Sequence, residues 1–151
     1  MESLTNENWE LPYRMYGDSF YKEAAGPYAG LSKNAFFHML SARGAYDFFL
    51  VAKEKKLAAF CGFIKGFMVP DKHIAWISLI AVEQHLMRNG YGAEMFWAIA
   101  HYIKNDYKIV KIYITVKQDN ATAISFWESM GFVAILALPD REASYLYEKI
   151  L

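Results

Sequence analysis

The segment that most constrains the fold is an apolar run, followed by a loop with two glycines and then by helical periodicity. The apolar run, Ile74 to Val82, is rich in β-branched residues and interrupted only by Ser78. It is too short to span a bilayer and predicts a buried strand. After Gly90-Tyr91-Gly92, apolar residues recur at helical spacing and predict a helix over about 93–104.

A strand that passes through such a loop into a helix can bind an anion. The first N–H groups of a helix are unpaired, the helix dipole is positive there, and glycine lets a phosphate approach closely. The dinucleotide fingerprint is not met, because Met95 stands where its third glycine belongs, and the Gly-Lys-Ser/Thr of a P-loop is absent. What remains is MRNGYG at 87–92. By itself it is as compatible with a structural connection as with a ligand site.

A second informative stretch reads NATAISFWESMGF at 120–132. Either Asn120 or Asp119 can cap a helix there, and Gly131 can end it. Its apolar positions recur at helical spacing at Ala123, Trp127 and Met130.

Together, the two stretches resemble the Gcn5-related N-acetyltransferase (GNAT) superfamily. Its acetyl-CoA loop, Q/R-x-x-G-x-G/A at a helix start, corresponds to residues 87–92. Its later helix carries N-x-x-A-x-x-Φ-Y followed by G-F and corresponds to 120–132. The resemblance covers roughly residues 46–150. It implies an acetyltransferase that uses acetyl-CoA as cosubstrate and needs no metal.

The resemblance also implies the architecture. We expect an α/β (α+β) fold with a mixed, mostly antiparallel sheet of six to seven strands, helices on both faces, and splayed fourth and fifth strands. The whole chain, 1–151, is expected to form one domain. The alternating run at 109–117 predicts that Val110, Ile112, Ile114 and Val116 share one face. The remaining predicted elements are strands at 11–16, 46–52, 57–67, 132–138 and 143–150, and helices at 19–43 (in two pieces, the second capped by Ser32) and 120–130.

Composition narrows the class of protein. The 151 residues, 55% of them hydrophobic, suffice for one globular core. The 16 acidic and 16 basic side chains balance, so no nucleic-acid or membrane partner is indicated. The single cysteine, Cys61, and an N-terminus unlike a signal peptide favour a cytoplasmic protein. The many aromatic residues could support a homodimer.

The resemblance assigns contacts with CoA. The backbone at the end of the 74–82 strand would pair with pantetheine, and the loop amides would bind the pyrophosphate. The cofactor-binding candidates are Ile80, Ala81, Val82, Met87, Arg88, Asn89, Gly90, Tyr91, Gly92, Ala93, Asn120, Ala123, Phe126 and Trp127.

Two of these residues depart from the family pattern. Met87 stands where Gln or Arg is usual, and the neighbouring Arg88 either supplies a cation to the phosphates or is a solvated surface residue. Trp127 stands where a tyrosine commonly protonates the departing thiolate. Because an indole is not an acid at neutral pH, the proton comes from another residue, from water or from the amine itself, or the protein is inactive.

Candidates for acid–base roles are few. Among the strand positions that face the acetyl group, Trp76, Ser78, Ile80 and Val82, only Ser78 is polar and could hold a water. Tyr147 is a candidate acid. The predicted function is transfer of acetyl from acetyl-CoA to a primary amine of a small molecule or peptide, bound near 19–43 and the last hairpin. The alternative is a catalytically inactive CoA- or acyl-CoA-binding module.

Overall fold

The computed structural model describes residues 2–3, 32, 34–35, 46–53, 56–65, 71–82, 84–139 and 143–151. The strands are β1 (Glu2–Ser3), β2 (Tyr46–Lys53), β3 (Lys56–Lys65), β4 (Ile74–Val82), β5 (Lys111–Lys117), β6 (Val133–Leu138) and β7 (Ser144–Ile150). The helices are α1 (Tyr91–Tyr107) and α2 (Ala121–Ser129), and a 3₁₀ turn covers Gln84–Leu86. No helix in these ranges is long and apolar enough to cross a membrane.

The chain forms two compact units, and β3, β4 and α1 contribute residues to both. The first unit is Met1–Phe63 with Leu79–Ala98, and the second is Ile64–Ser78 with Ile99–Leu151. In the first, the strands follow the order β1-β2-β3-β4, and β1 is antiparallel to β2. In the second, the order is β4-β5-β7-β6. That the whole chain is one domain stays a prediction.

The second unit contains the predicted mixed sheet. β4 and β5 pair in parallel, with Ile74 opposite Lys111 and Trp76 opposite Tyr113. The connection through α1 therefore returns to a neighbouring parallel strand, as expected of a crossover. β7 lies between β5 and β6 and is antiparallel to both. The mixed α/β fold predicted from the sequence is confirmed.

The core of β5 follows the predicted alternation with one correction. Ile112, Ile114 and Val116 are buried, whereas Lys111 and Tyr113 are half-buried. Val110 was expected on the same buried face but is 54% exposed. It lies before the strand, where its N–H donates to the C=O of His73 and its C=O accepts from Leu151. Hydrogen bonds at the end of the sheet thus set its position, and the prediction for Val110 was wrong.

Helix α1 is longer than the 93–104 predicted, because it begins two residues earlier and ends three later. Met95, Phe96, Ile99 and Ile103 are fully buried, as their spacing indicated. Burial of each such side chain contributes about 1.5–3 kcal/mol. The predicted strand at 11–16 lies outside the described residues, as do the helices within 19–43 except at their Ser32 cap. There the Ala35 N–H donates to Ser32 Oγ at 3.3 Å.

Candidate functional site

The connection between β4 and α1 is a tight loop held by its own backbone and by one side chain. The Met87 N–H donates to the C=O of Gln84 at 3.2 Å. Asn89 Nδ2 donates to the C=O groups of Leu86 and Met87, both at 3.1 Å. The amide of Asn89 therefore ties the residues before it into one conformation. From the sequence, only the backbone N–H of Asn89 was expected to contribute, although asparagine is favoured in turns because its side chain makes such bonds.

Two residues of this loop have left-handed backbone conformations. Gly90 has φ +83° and Arg88 has φ +61°. Only glycine adopts such a φ without a steric penalty, which explains the glycine at 90. A Cβ built at Gly90 would meet no atom within 4 Å. The space in front of this residue is therefore open, and a side chain placed there would project into it.

The loop leads into the start of α1, where several backbone N–H donors lie close together. The Glu94 N–H donates to the C=O of Gly90 at 2.9 Å and begins the helical ladder. The N–H groups of Tyr91, Gly92 and Ala93 consequently precede the first intrahelical donor. They lie at the positive end of the helix dipole, where an anion is stabilised. The backbone of this loop can therefore bind an anion, independently of its side chains.

The side chains at the two positions before Asn89 differ in exposure. Met87 is half-buried, whereas Arg88 is exposed. The cationic group nearest to the helix start in sequence therefore belongs to Arg88, one residue after the position where the family usually has Gln or Arg.

The end of β4 alternates in burial. Ala81 is 8% exposed, while Ile80 and Val82 are half-buried. The same alternation holds at the beginning of the strand, where Ala75 and Ile77 are buried and Trp76 is not. Burial therefore alternates along β4, whereas the prediction that Trp76, Ser78, Ile80 and Val82 face the acetyl group stays a prediction. The backbone of Ser78 lies in β4, but its side chain is outside the part of the protein that the structure describes.

Helix α2 begins at an asparagine cap. Asn120 Oδ1 accepts a hydrogen bond from the Ala123 N–H at 3.0 Å, and the Asn120 C=O accepts from Ile124. Asp119 contributes only its backbone carbonyl, which accepts from Ala121. Of the two caps considered from the sequence, Asn120 is the one used.

The end of α2 is a Schellman motif. The Gly131 N–H donates to the C=O of Glu128 at 2.9 Å, and the Phe132 N–H donates to the C=O of Trp127 at 3.1 Å. Gly131 has the left-handed φ of +84° that this motif requires. The rings of Trp127 and Phe132 meet edge to face with centroids 5.0 Å apart, which is the apolar contact that accompanies the motif.

Trp127 is therefore a packed residue. It is 6% exposed, and its second aromatic neighbour is Phe126, also at 5.0 Å. Of the described residues of α2, only Trp127 is buried, and Phe126 and Ala123 are not. A buried indole that packs against two aromatic rings has a structural role, and it cannot supply a proton at neutral pH.

Tyr147 lies on β7 and contacts α2. Its side chain is 2% exposed, and its hydroxyl donates to Glu128 Oε1 at 3.4 Å. Burial raises the pKa of Tyr147 above its ordinary value, and the negative charge and hydrogen bond of Glu128 raise it further. The phenol keeps its proton but is a weaker acid than a free tyrosine. No local sequence pattern pairs Glu128 with Tyr147, since the two residues lie 19 positions apart.

Another group of polar and aromatic side chains lies on the opposite face of β5. Trp76 and Tyr113 are paired across β4 and β5, with ring centroids 6.1 Å apart. Lys111 forms an ion pair with Glu148 at 3.0 Å and lies 5.6 Å from the centre of the Tyr113 ring. The hydrogen bond to Glu148 is the main reason why the pKa of Lys111 is raised.

The candidates thus fall into two groups, one in each unit. The end of β4 and the loop from Met87 to Ala93 belong to the first unit, while α2 and Tyr147 belong to the second. Among the described side chains, no group of three or more His, Cys, Asp or Glu residues is arranged to hold a metal ion.

Comparison with known proteins identifies the family. The acetyltransferase (GNAT) family matches residues 2–132. The protein belongs to this family, and the prediction of an acetyl-CoA-dependent acyltransferase is thereby confirmed. No curated protein matches it in sequence.

Solved structures confirm the fold at low sequence identity. The protein smu.2055 of Streptococcus mutans UA159 superposes with a TM-score of 0.81 at 18% identity, covering 99% of both chains. The aminoglycoside acetyltransferase AAC(6')-Ib, in complex with coenzyme A, gives a TM-score of 0.82 at 15% identity, covering 99% of this chain and 92% of its own. Spermidine N-acetyltransferase of Vibrio cholerae, with CoA and spermine, gives 0.80 at 14% identity, with 99% and 93% covered.

Proposed function

We propose that the protein transfers the acetyl group of acetyl-CoA to a primary amine of a small molecule or peptide. The observation that carries the proposal is the loop from Met87 to Ala93. Its left-handed Gly90 and the start of α1, where backbone N–H groups favour an anion, lie at the position of the family's CoA motif and support this proposal.

In this proposal, the pyrophosphate of CoA accepts hydrogen bonds from the amides of residues 88–93. The open space before Gly90 gives the phosphates room to approach. Arg88, exposed beside these amides, supplies a positive charge in place of the Gln or Arg that Met87 replaces. The pantetheine arm pairs with the backbone of Ile80, Ala81 and Val82. Contacts of CoA with Asn120, Ala123, Phe126 and Trp127 rest on the family pattern alone and stay predictions.

The class of acceptor is proposed from the similar structures. One is an aminoglycoside acetyltransferase and another a spermidine N-acetyltransferase. Both names specify amine-bearing small molecules, which supports an amine acceptor here. The single cysteine, Cys61, is consistent with a reducing compartment, and we propose the cytoplasm as the setting.

The chemistry is a direct transfer with both substrates bound. The neutral amine attacks the thioester carbonyl, a C–N bond forms, the C–S bond breaks, and CoA leaves as thiolate. The proton lost by the amine neutralises that thiolate. Trp127 cannot deliver this proton, and the raised pKa of Tyr147 makes it a poor donor. We therefore propose transfer through water, with Ser78 as the residue that holds it.

The experiment is a calorimetric titration with acetyl-CoA, followed by thiol release with a panel of amines. Gly90→Val should lose acetyl-CoA binding, because the side chain enters the phosphate space. Gly131→Val is the matched control, since its φ of +84° is nearly that of Gly90 at +83°. It strains the backbone similarly, and its Cβ would additionally lie 2.8 Å from Lys149 Nζ, the flexible end of a side chain that can move away. Because Gly131 lies after α2 and outside the loop, the variant should keep binding at temperatures where it is folded.

The outcomes separate the proposal from its rival. Thiol release that depends on an amine supports the transferase. Acetyl-CoA binding without release for any amine would favour the CoA- or acyl-CoA-binding module, an interpretation supported by the buried Trp127. If the wild-type protein fails to bind acetyl-CoA, or if Gly90→Val binds it normally, the proposed site is wrong.

A further inference from the structure

A row of three side chains crosses the sheet of the second unit at one level. Trp76 of β4 lies opposite Tyr113 of β5, and Tyr113 lies opposite Glu148 of β7. Residues directly opposite each other on neighbouring strands point to the same face, so two aromatic rings and one carboxylate stand side by side there. All three side chains are half-buried, which leaves each of them partly open to solvent. These three residues are called the cation row below.

The cation row already holds an ammonium group, that of Lys111. Lys111 Nζ lies 3.0 Å from Glu148 Oε2 and 5.6 Å from the centre of the Tyr113 ring. A cation within about 6 Å of the centre of an aromatic ring is attracted to it, and the carboxylate supplies the opposite charge. The side chains of Lys111 and Glu148 are each 28% exposed. The site is therefore suited to an ammonium group, and its occupant here is the end of a flexible side chain.

We propose that the cation row binds a second cationic group of the acceptor, and that this group displaces the ammonium of Lys111. The inference rests on the proposed amine transfer and names its substrate class, a small molecule with two cationic amino groups. Displacement is feasible because lysine has a long flexible stem and because a partly exposed ion pair contributes little to stability. The incoming ammonium gains the same carboxylate and the same aromatic ring that Lys111 leaves.

The spacing of the strands sets the length of this acceptor. Ser78, the proposed holder of the water that takes up the amine's proton, marks the reacting amine. It follows Trp76 by two residues on β4, about 6.7 Å along the strand at a position of the same parity. From β4 to the midpoint between β5 and β7 the distance is roughly 7 Å. The two amino groups should therefore lie about 10 Å apart, which an extended chain of about eight bonds spans.

The test compares 1,7-diaminoheptane, which has this length, with 1-aminoheptane, which lacks only the second amino group. In thiol release, the KM should be at least about fivefold lower for the diamine, at similar kcat. Calorimetric titration of each amine into the protein with CoA measures binding directly, because no transfer takes place without the acetyl group. 1,3-Diaminopropane is too short to reach the cation row and should have no such advantage over 1-aminopropane.

The two partners of the ion pair should act in opposite directions. Glu148→Gln removes the carboxylate and should weaken diamine binding about fivefold, whereas Lys111→Met removes the competing ammonium and should strengthen it about threefold. An ion pair with only a structural role would give losses in both variants. Tyr113→Leu should weaken binding about two- to threefold, and Tyr113→Phe should retain it. Asp106→Asn, which removes an exposed carboxylate on α1, is the control for net charge and should change nothing.

The outcomes distinguish this inference from the function on which it rests. Thiol release with equal KM for diamine and monoamine would overturn the cation row but keep the transferase. So would a diamine preference that Glu148→Gln, with native circular dichroism, leaves undiminished, or weaker diamine binding in Lys111→Met. Diamine binding that requires Glu148, without thiol release for any amine, would support the cation row and overturn the transferase. If the diamine neither binds nor releases thiol, both are overturned.

Discussion

Tyr147 of β7 donates its hydroxyl hydrogen bond to Glu128 of α2 over 3.4 Å. This bond joins the last strand to the helix that carries Trp127, and it is made by a phenol that is almost fully buried. The pairing places a carboxylate beside the one tyrosine considered as an acid, so it bears on both stability and chemistry.

The first prediction concerns stability at alkaline pH. The pKa of Tyr147 is raised above 10.0 in the folded state, chiefly by burial and then by Glu128. Its stabilising contribution is therefore complete below pH 10.0, where the unfolded chain also keeps the proton, and is lost as pH rises through the folded pKa. Tyr147→Phe should flatten this alkaline loss of unfolding free energy, measured with urea at several pH values.

Two variants separate the causes. Glu128→Gln removes the charge but leaves the burial, so the pKa of Tyr147 should fall and yet stay above its ordinary value, as read from tyrosinate absorbance. Lys111, whose pKa is also raised, loses its contribution in the same alkaline range. Lys111→Met therefore serves as the control for the part of the slope that Tyr147 does not cause. An unchanged slope in Tyr147→Phe would contradict the assignment.

The second prediction concerns the cap of α2. Asn120→Ala removes the acceptor for the Ala123 N–H and should reduce the unfolding free energy by about 1 kcal/mol. Asn120→Asp should retain most of the stability, because its carboxylate accepts the same bond. Asp119→Ala is the matched control, since only the backbone carbonyl of Asp119 is used. Equal losses at 119 and 120 in urea unfolding would argue against the cap.

The bounds of β4 and α2 could be predicted closely from the sequence, because each element is marked by strong local signals. Ile74–Val82 is an apolar run interrupted only by Ser78, and its observed bounds are those predicted. The α2 segment has a capping residue at one end and a glycine at the other, and both act as caps in the structure. Local chemistry was sufficient there, because the signals and the hydrogen bonds lie within a few residues of each other.

Features that depend on residues far apart in the sequence could not be predicted. Val110 continues the alternation of β5, but hydrogen bonds to His73 and Leu151 place it outside the strand. The run VAILAL is apolar throughout, yet five of the six residues of β6, the last strand in its order, are exposed. Strand order and contacts such as Tyr147 with Glu128 depend on tertiary packing, which apolar periodicity does not contain.

The third prediction tests the side chain that orders the CoA loop. Asn89→Ala removes two hydrogen bonds to the C=O groups of Leu86 and Met87. Each bond contributes about 1 kcal/mol, so a loop that is less ordered should bind acetyl-CoA on the order of tenfold more weakly. Calorimetric titration measures the change. Asn105→Ala, which removes an exposed amide paired with His101 on the same helix, should leave the affinity unaltered. Wild-type affinity in Asn89→Ala would mean that the loop is ordered without it.

The fourth prediction concerns Trp127, which stands where the family commonly has its acid. Because the indole packs against Phe126 and Phe132 and has no proton to give, Trp127→Phe should lower the unfolding free energy by about 1–3 kcal/mol. On the proposed amine transfer, kcat should change by less than about threefold, since no proton step is removed. Tyr147→Phe is the comparison, because it removes the other candidate acid while it retains the ring. If Trp127→Phe lowered kcat about a hundredfold at unchanged KM and full folding, the indole would have a role in the transition state, and proton transfer through water would have to be abandoned.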